Sequence, residues 1–340
     1  MKSTYYLLFV IFSCFIFISC DSCKKIEEKD SQENIVTSKN IAEITAKINK
    51  SPNNPDLYNE RAKLFLGEKD INNALNDINH ALEINPKNSY FYITLSDIYF
   101  TMGKAQKTQE TLMKAHYLDP ENTEVLFKIA ELNYYFKQYK ETFEYINKTL
   151  EIDPNNPKSY FIMGFVFKET GDTAKAIQNF QIAVDKDQNY YDAYIQLGIL
   201  FAAQKNPLAI NYYDNALNIN PQSTEAWYNK GMFYQNNEMY NEAMETYNSI
   251  IEIDPNFKYA YFNLGFINLQ YLNVIDVARN FFTQAIECDP NYAEAYFNRG
   301  LCFERVGDIM NAKKDYQKAL DLKTNYQKAI EGLNRVDEAM

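Results

Sequence analysis

Proline recurs along the chain at Pro86, Pro120, Pro154, Pro221, Pro255 and Pro290, and Gln188 stands in the one vacant place. The steps are 34, 34, 34, 33, 34 and 35 residues. Each closes a phrase such as Leu82-Glu83-Ile84-Asn85-Pro86 or Leu150-Glu151-Ile152-Asp153-Pro154, in which an amphipathic run meets a residue that cannot continue a helix. A period of this length describes one supersecondary unit, too small to bury its own apolar face, so neighbouring units must stack to make a core. At 340 residues the chain is also longer than one usual hydrophobic core. Repetition resolves that excess.

Glycine supplies a second series. Gly164, Gly198, Gly231, Gly265 and Gly300 keep one phase, each inside a helix-like run. A glycine in a helix interior costs about 1 kcal/mol relative to alanine, so five in phase need a packing reason. Earlier units carry Ala62, Ser96 and Ala130 at that place, also small. Another small residue follows eleven to thirteen positions later: Ala74, Thr108, Thr142, Ala176, Ala209, Ala243, Ala278 and Ala312. The pattern predicts two helices touching closely. Between them Gly67, Gly103, Gly171 and Gly307 suit a tight turn, with Asp172 and Asp308 as caps.

Spacing, aromatic, small residue, alanine and proline recurring in phase resemble the tetratricopeptide repeat over Asn53–Thr324, as eight repeats. The fullest match runs from Ala226-Trp227-Tyr228-Asn229-Lys230-Gly231 through Tyr247 to Pro255. Gln188 and Thr324 replace the proline, Lys205-Asn206-Pro207 shortens one turn and Asn273-Val274-Ile275 lengthens another. The resemblance implies an all-α fold, a right-handed superhelical solenoid of helix-turn-helix units with a concave inner face. A helix in residues 41–52 and another in residues 325–340 are expected to cap the array, since such a stack is apolar at both ends.

One residue around a helix is about 100° of rotation, so with Gly265 toward its partner helix, Phe262, Phe266 and Leu269 turn elsewhere. In the tetratricopeptide family that side is the groove. Carried over by position, the candidates are Phe127, Phe161, Phe165, Tyr228, Phe262, Phe266, Phe297 and Leu301. Asn229, Asn263 and Asn298 stand where the family uses amides to hold the main chain of an extended peptide. The expected ligand is an extended, partly apolar segment of a partner protein in repeats six to eight. The competing reading is that these aromatics pack between repeats. The family's clamp for a terminal carboxylate needs basic residues where this chain has Tyr228, Met232, Glu294 and Asn298, so capture of an acidic C-terminus is not expected.

The N-terminus reads as an address. Lys2 precedes fifteen uncharged residues, Tyr5 to Ser19, before Asp21, Lys24 and Lys25. A membrane-spanning helix needs about 20 apolar residues, so residues 1–19 suit a signal peptide. Phe17-Ile18-Ser19-Cys20 resembles a bacterial lipobox, with Phe17 in place of the usual leucine, which implies lipid attachment at Cys20. Residues 20–40 are polar and charge-mixed, as in a flexible tether. The expected location is a membrane-anchored lipoprotein facing the periplasm or cell surface; simple cleavage would instead release a periplasmic or secreted protein.

Other classes find little support. Acidic residues outnumber basic ones 45 to 34 and the five arginines are scattered, so no nucleic acid is expected as partner. His80 and His116 lie on separate helices without metal-ligand spacing, so no metal is expected. No glycine-rich phosphate loop is present, no cofactor is expected, and no segment leaves the repeat long enough to house a catalytic domain. Cys288 and Cys302, in adjacent repeats, read as small core residues or as a pair formed after export. The expected function is a non-enzymatic, lipid-anchored adaptor in the bacterial envelope. The alternative is an accessory binder of envelope polysaccharide or peptidoglycan, with aromatics stacking on sugar rings.

Overall fold

A computed structural model describes residues 39–338; the expected signal segment, Cys20 and the tether as far as residue 38 lie outside the described residues. Eighteen α-helices follow in tandem, and the described residues include no strand. After α1 (39–50) come eight antiparallel pairs: α2 (Pro55–Gly67) with α3 (Ile71–Ile84), α4 (Ser89–Thr101) with α5 (Ala105–Leu118), α6 (Thr123–Tyr135) with α7 (Tyr139–Ile152), α8 (Pro157–Thr170) with α9 (Thr173–Lys186), α10 (Tyr191–Ala203) with α11 (Leu208–Ile219), α12 (Thr224–Asn236) with α13 (Tyr240–Ile253), α14 (Lys258–Gln270) with α15 (Ile275–Cys288), and α16 (Ala293–Arg305) with α17 (Ile309–Leu322). α18 (Gln327–Glu338) ends the array. Helix α1 takes in residues 39 and 40, which the sequence assigns to the tether.

The proline phrase works through three local bonds. Asp153 Oδ1 accepts the Asn155 N–H at 3.1 Å, turning the chain after α7. Asn156 then caps α8 by accepting the Ser159 N–H, as Asn88 and Asn122 cap α4 and α6. The first-helix aromatic reaches back six residues. The hydroxyls of Tyr58, Tyr92 and Tyr160 donate to the carbonyls of Pro52, Pro86 and Pro154 at 3.0, 2.9 and 3.1 Å, and the Trp227 indole N–H to that of Pro221 at 3.0 Å. Proline and aromatic recur together because one receives the other. Within each pair the turn contains one left-handed residue: Gly103, Gly171 and Gly307, but also Lys69, Lys137, Lys205, Glu238 and Asn273. Gly67 is not one of them; it closes α2, and Lys69 makes the turn instead. Asp172 and Asp308 cap α9 and α17 as expected.

The glycines do face their partner helix, but what they meet is an aromatic ring. A Cβ on Gly164, Gly231, Gly265 or Gly300 would lie 2.6, 2.7, 2.8 or 3.0 Å from the ring of Phe180, Tyr247, Phe282 or Tyr316, and Gly198 stands equally close to Tyr213. All five rings are buried. In the first three repeats the small residue keeps its Cβ, or a Cβ with a hydroxyl, and the opposite residue shrinks to an aliphatic: Ala62 with Ile78, Ser96 with Leu112, Ala130 with Ile146. The pairs conserve volume across the interface, which a close-packed interior demands. Gly332 on α18 repeats the device, its missing Cβ lying 2.7 Å from the other edge of Tyr316.

First helices of successive repeats touch at α2/α4, α4/α6, α6/α8, α10/α12, α14/α16 and α16/α18, whereas second helices do not approach one another comparably. The stack therefore curves with first helices inside. Helix α1 occupies the place of a second helix. Thr45 on α1 receives Arg61 Nη1 at 3.0 Å while Arg61 binds Asp77 through Nε and Nη2 at 2.6 and 2.7 Å. The same triad recurs at the far end, where Thr283, on the second helix α15, receives Arg299 Nη1 at 3.4 Å and Arg299 binds Asp315 at 2.7 and 2.9 Å. Pro52, 34 residues before Pro86, extends the proline series to match. The array is thus eight whole repeats between a lone second helix and a lone first helix.

Candidate functional site

Three clefts open along the face lined by first helices. The C-terminal one, about 380 Å³, lies between α14, α16 and α18 and is lined by Phe262, Phe266, Gln270, Glu294, Phe297, Asn298, Tyr326 and Lys328. It gathers four of the residues the sequence singles out. The middle cleft, about 400 Å³, lies between α10 and α12 and contains Asn229 with Asn236, Met232, Ile199 and Lys205. The third, about 410 Å³, lies between α4, α6 and α8 and contains Phe165.

The expected asparagine row divides. Asn229 is half-buried in the middle cleft. Asn263 and Asn298 are each 6% exposed, and their amides face inward. Asn298 Nδ2 donates to the Glu294 carbonyl of its own helix at 2.8 Å, and Asn263 Nδ2 to Met232 Sδ at 3.6 Å. As placed, these two brace the inner helices. The aromatics are half-buried and pack ring on ring: Phe161 and Phe165 on Phe180, Tyr228 on Tyr247, Phe262 on Phe282 and Tyr292, Phe297 on Tyr316 and Tyr326. Phe127 is buried, and Leu301 is half-buried beside Phe282. Burial holds the phenols of Tyr228 and Tyr247 above their usual range, so both remain neutral donors. Packing and cleft lining coexist in Phe165, Phe262, Phe266 and Phe297, whereas Phe127, Phe161, Tyr228 and Leu301 line none of the three clefts.

Polar groups around the C-terminal cleft are held in fixed positions. Lys323 Nζ lies 2.8 Å from Glu294 Oε1; burial pushes the Glu294 carboxyl up, but the Lys323 hydrogen bond, a backbone hydrogen bond and the charges of Lys323 and Lys258 together outweigh it and hold its pKa below the usual value. Arg335 holds the Glu304 carboxyl below its usual range through bonds of 2.8 and 2.9 Å.

What sequence reasoning missed is the N-terminal cleft. Phe100, Tyr134 and Tyr135 line it, together with Lys128, whose ammonium lies 3.0 Å from Asp97 and 3.1 Å from Glu131. Burial works against the Lys128 charge, but Glu131 and Asp97 outweigh it and hold its pKa above the ordinary value. Asp97 and Glu131 occupy in repeats two and three the register place of Phe165 and Phe266, so a series followed through aromatics alone passes over them.

His80 is half-buried beside Glu83, and His116 packs edge-on against the Tyr145 ring. Among the described residues no three His, Cys, Asp or Glu side chains cluster as metal ligands. Cys288 and Cys302 are both free thiols; Cys302 is buried, which pushes its pKa up to about 12.

Family models described as tetratricopeptide repeat match residues 55–88, 89–122, 145–178, 224–257 and 281–314, together half of the chain. A UDP-N-acetylglucosamine–peptide N-acetylglucosaminyltransferase of Giardia intestinalis is 31% identical over 75 residues, which are 22% of this chain and only 5% of that protein. Among solved structures, the C-terminal part of a repeat-containing protein from Cytophaga hutchinsonii superposes with a TM-score of 0.60 at 21% identity, covering 70% of this chain and 98% of that one. PilF of Pseudomonas aeruginosa gives 0.51 at 18% identity, covering 59% and 92%. At these identities the likeness shows the fold alone.

Proposed function

This chain belongs to the tetratricopeptide repeat family, and from that premise we propose that it is a non-enzymatic adaptor whose inner face binds an extended segment of a partner protein. The carrying observation is the cleft between α14, α16 and α18, where Phe262, Phe266 and Phe297 meet the polar side chains of Gln270, Glu294 and Lys328. An apolar floor with a few fixed polar groups is the usual constitution of a binding cleft. It supports a protein ligand over a glycan, because sugar stacking needs an open ring face, and Phe262 already lies against Tyr292, Phe297 against Tyr316 and Tyr326, and Phe266 against Phe262 and Tyr271.

Affinity capture on the full chain tests this. Phe266→Ala with Gln270→Ala is expected to reduce partner recovery at least several-fold, while an outward Tyr117→Ala, 85% exposed, leaves it unchanged. Equal recovery by all three proteins would exclude the cleft. An envelope glycan recovered without protein would support the alternative.

Attachment to a membrane through lipid at Cys20, and with it an envelope location, belongs to the same proposal. It is supported by the uncharged run before Cys20 and the polar stretch after it. No described helix is long and apolar enough to cross a membrane. Growth with labelled palmitate is expected to mark the chain, and Cys20→Ser to abolish the label. A label that survives Cys20→Ser refutes attachment at that residue.

A further inference from the structure

The geometry points to a second recognition site, in the cleft between α4, α6 and α8, for a bulky apolar side chain flanked by lysine or arginine. The inference rests on the adaptor reading and names a partner chemistry for a part of the inner face remote from the C-terminal cleft.

Three observations carry it. First, at about 410 Å³ the cleft falls within the roughly 300–1,000 Å³ of typical ligand pockets, and its walls are largely apolar, including Leu112, Leu132, Ile162 and Phe165. Such a cavity suits a large hydrophobic group better than a bare peptide backbone.

Second, its lip is made of two rings left exposed, Phe100 at 43% and Tyr135 at 61%, edge to face with centroids 5.1 Å apart. Surface rings in this setting can close over an inserted side chain, and their faces attract a neighbouring guanidinium or ammonium.

Third, the charged groups at the rim do not balance. Among the charged side chains that line the cleft, Lys128 alone stands between Asp97 and Glu131, whose side chains keep 38% and 47% of their exposure, so one negative charge is left over; Lys168, whose ammonium lies 5.6 Å from the centroid of Phe165, is held by Gln196 at 2.7 Å. The chain as a whole carries a net charge of −11. A cation next to the anchoring side chain completes the rim, whereas an anionic group there meets two carboxylates and a lysine already occupied. Complementarity of this kind sets partner choice.

The test uses the full chain and three labelled synthetic peptides in a Gly/Ser background: tryptophan flanked by arginines, the same with glutamates, and the arginine peptide with alanine for tryptophan. Fluorescence anisotropy is expected to show the first binding about tenfold or more tighter than either of the others, with affinity falling as salt is raised. The lip variant Phe100→Ala/Tyr135→Ala is expected to weaken it by a similar factor. Glu131→Gln should weaken the arginine peptide and narrow its advantage over the glutamate one. Tyr117→Ala, outside both clefts, should leave the affinity for the arginine peptide unchanged, and an unchanged thermal midpoint confirms that the lip variant is folded.

Equal binding of the arginine and glutamate peptides overturns the inference, as does indifference to the lip variant. If the arginine peptide fails to bind while partner capture through the C-terminal cleft persists, the second site is wrong and the adaptor reading stands. If both fail, the two fall together.

Discussion

Gly164→Ala is expected to destabilise the array by about 2 kcal/mol, although the substitution improves helix propensity by roughly 1 kcal/mol. The new Cβ would lie 2.6 Å from the ring of Phe180, which is fully buried and held by Phe161 and Phe165 at centroid distances of 5.5 and 5.3 Å. A rigid ring so held cannot swing aside, so the helix pair must separate. The partner substitution Phe180→Ile alone leaves a cavity, with a loss of roughly 1–3 kcal/mol.

The double variant Gly164→Ala/Phe180→Ile reproduces the pair found one repeat earlier, Ala130 with Ile146. It is expected to be more stable than the sum of the single losses by about 1–2 kcal/mol, the coupling typical of residues in contact. Urea unfolding of the four proteins closes the cycle. Strict additivity would show that the ring and the glycine do not share one volume.

Asp315→Ala is the second large effect expected, roughly 3 kcal/mol. Arg299 and Asp315 are 20% and 9% exposed at their side chains, and Asp315 receives two of the guanidinium bonds. Those bonds are the chief reason the Arg299 pKa stands above its ordinary value. Removing one partner strands a half-buried charge, which is far more damaging than replacing both partners with apolar groups. Arg299→Met/Asp315→Leu is therefore expected to recover most of the loss.

Because each repeat contacts only its neighbours, the damage should stay local. Hydrogen exchange is expected to quicken in α15 to α18 while α2 to α5 keep their protection. A uniform loss along the chain, or a change below about 1 kcal/mol, would mean that the triad is not a local fastener.

How far these features were legible differs from one to the next. The proline phrases, the small-residue series and the two-helix unit are written locally: a helix stop, an Asx turn and a capping side chain each act within six residues, so their recurrence in sequence is their recurrence in space. The glycine series is legible too, but the alanine that follows each glycine by eleven to thirteen positions is not what its missing Cβ would meet first. The rings at Phe180, Tyr213, Tyr247, Phe282 and Tyr316 follow their glycines by 15 to 17 residues and swap with Ile78, Leu112 and Ile146 in the first repeats, which is apparent once the helices are paired. Pro52 likewise announced that α1 completes the series as a second helix.

The sequence by itself determined the repeat length, the antiparallel pairing of helices and the set of positions along the inner face. Tertiary structure alone decided which of those positions face a cleft. Asn229 and Asn298 line clefts while Asn263 does not, and the amides of Asn263 and Asn298 turn to Met232 and to the Glu294 carbonyl, though all three asparagines hold the same place in their repeats. Helical periodicity is a property of the backbone and is carried inside each unit. The direction of a side chain depends on neighbours about 30 residues distant, and the N-terminal cleft opens where Asp97, Lys128 and Phe165, from three successive repeats, converge.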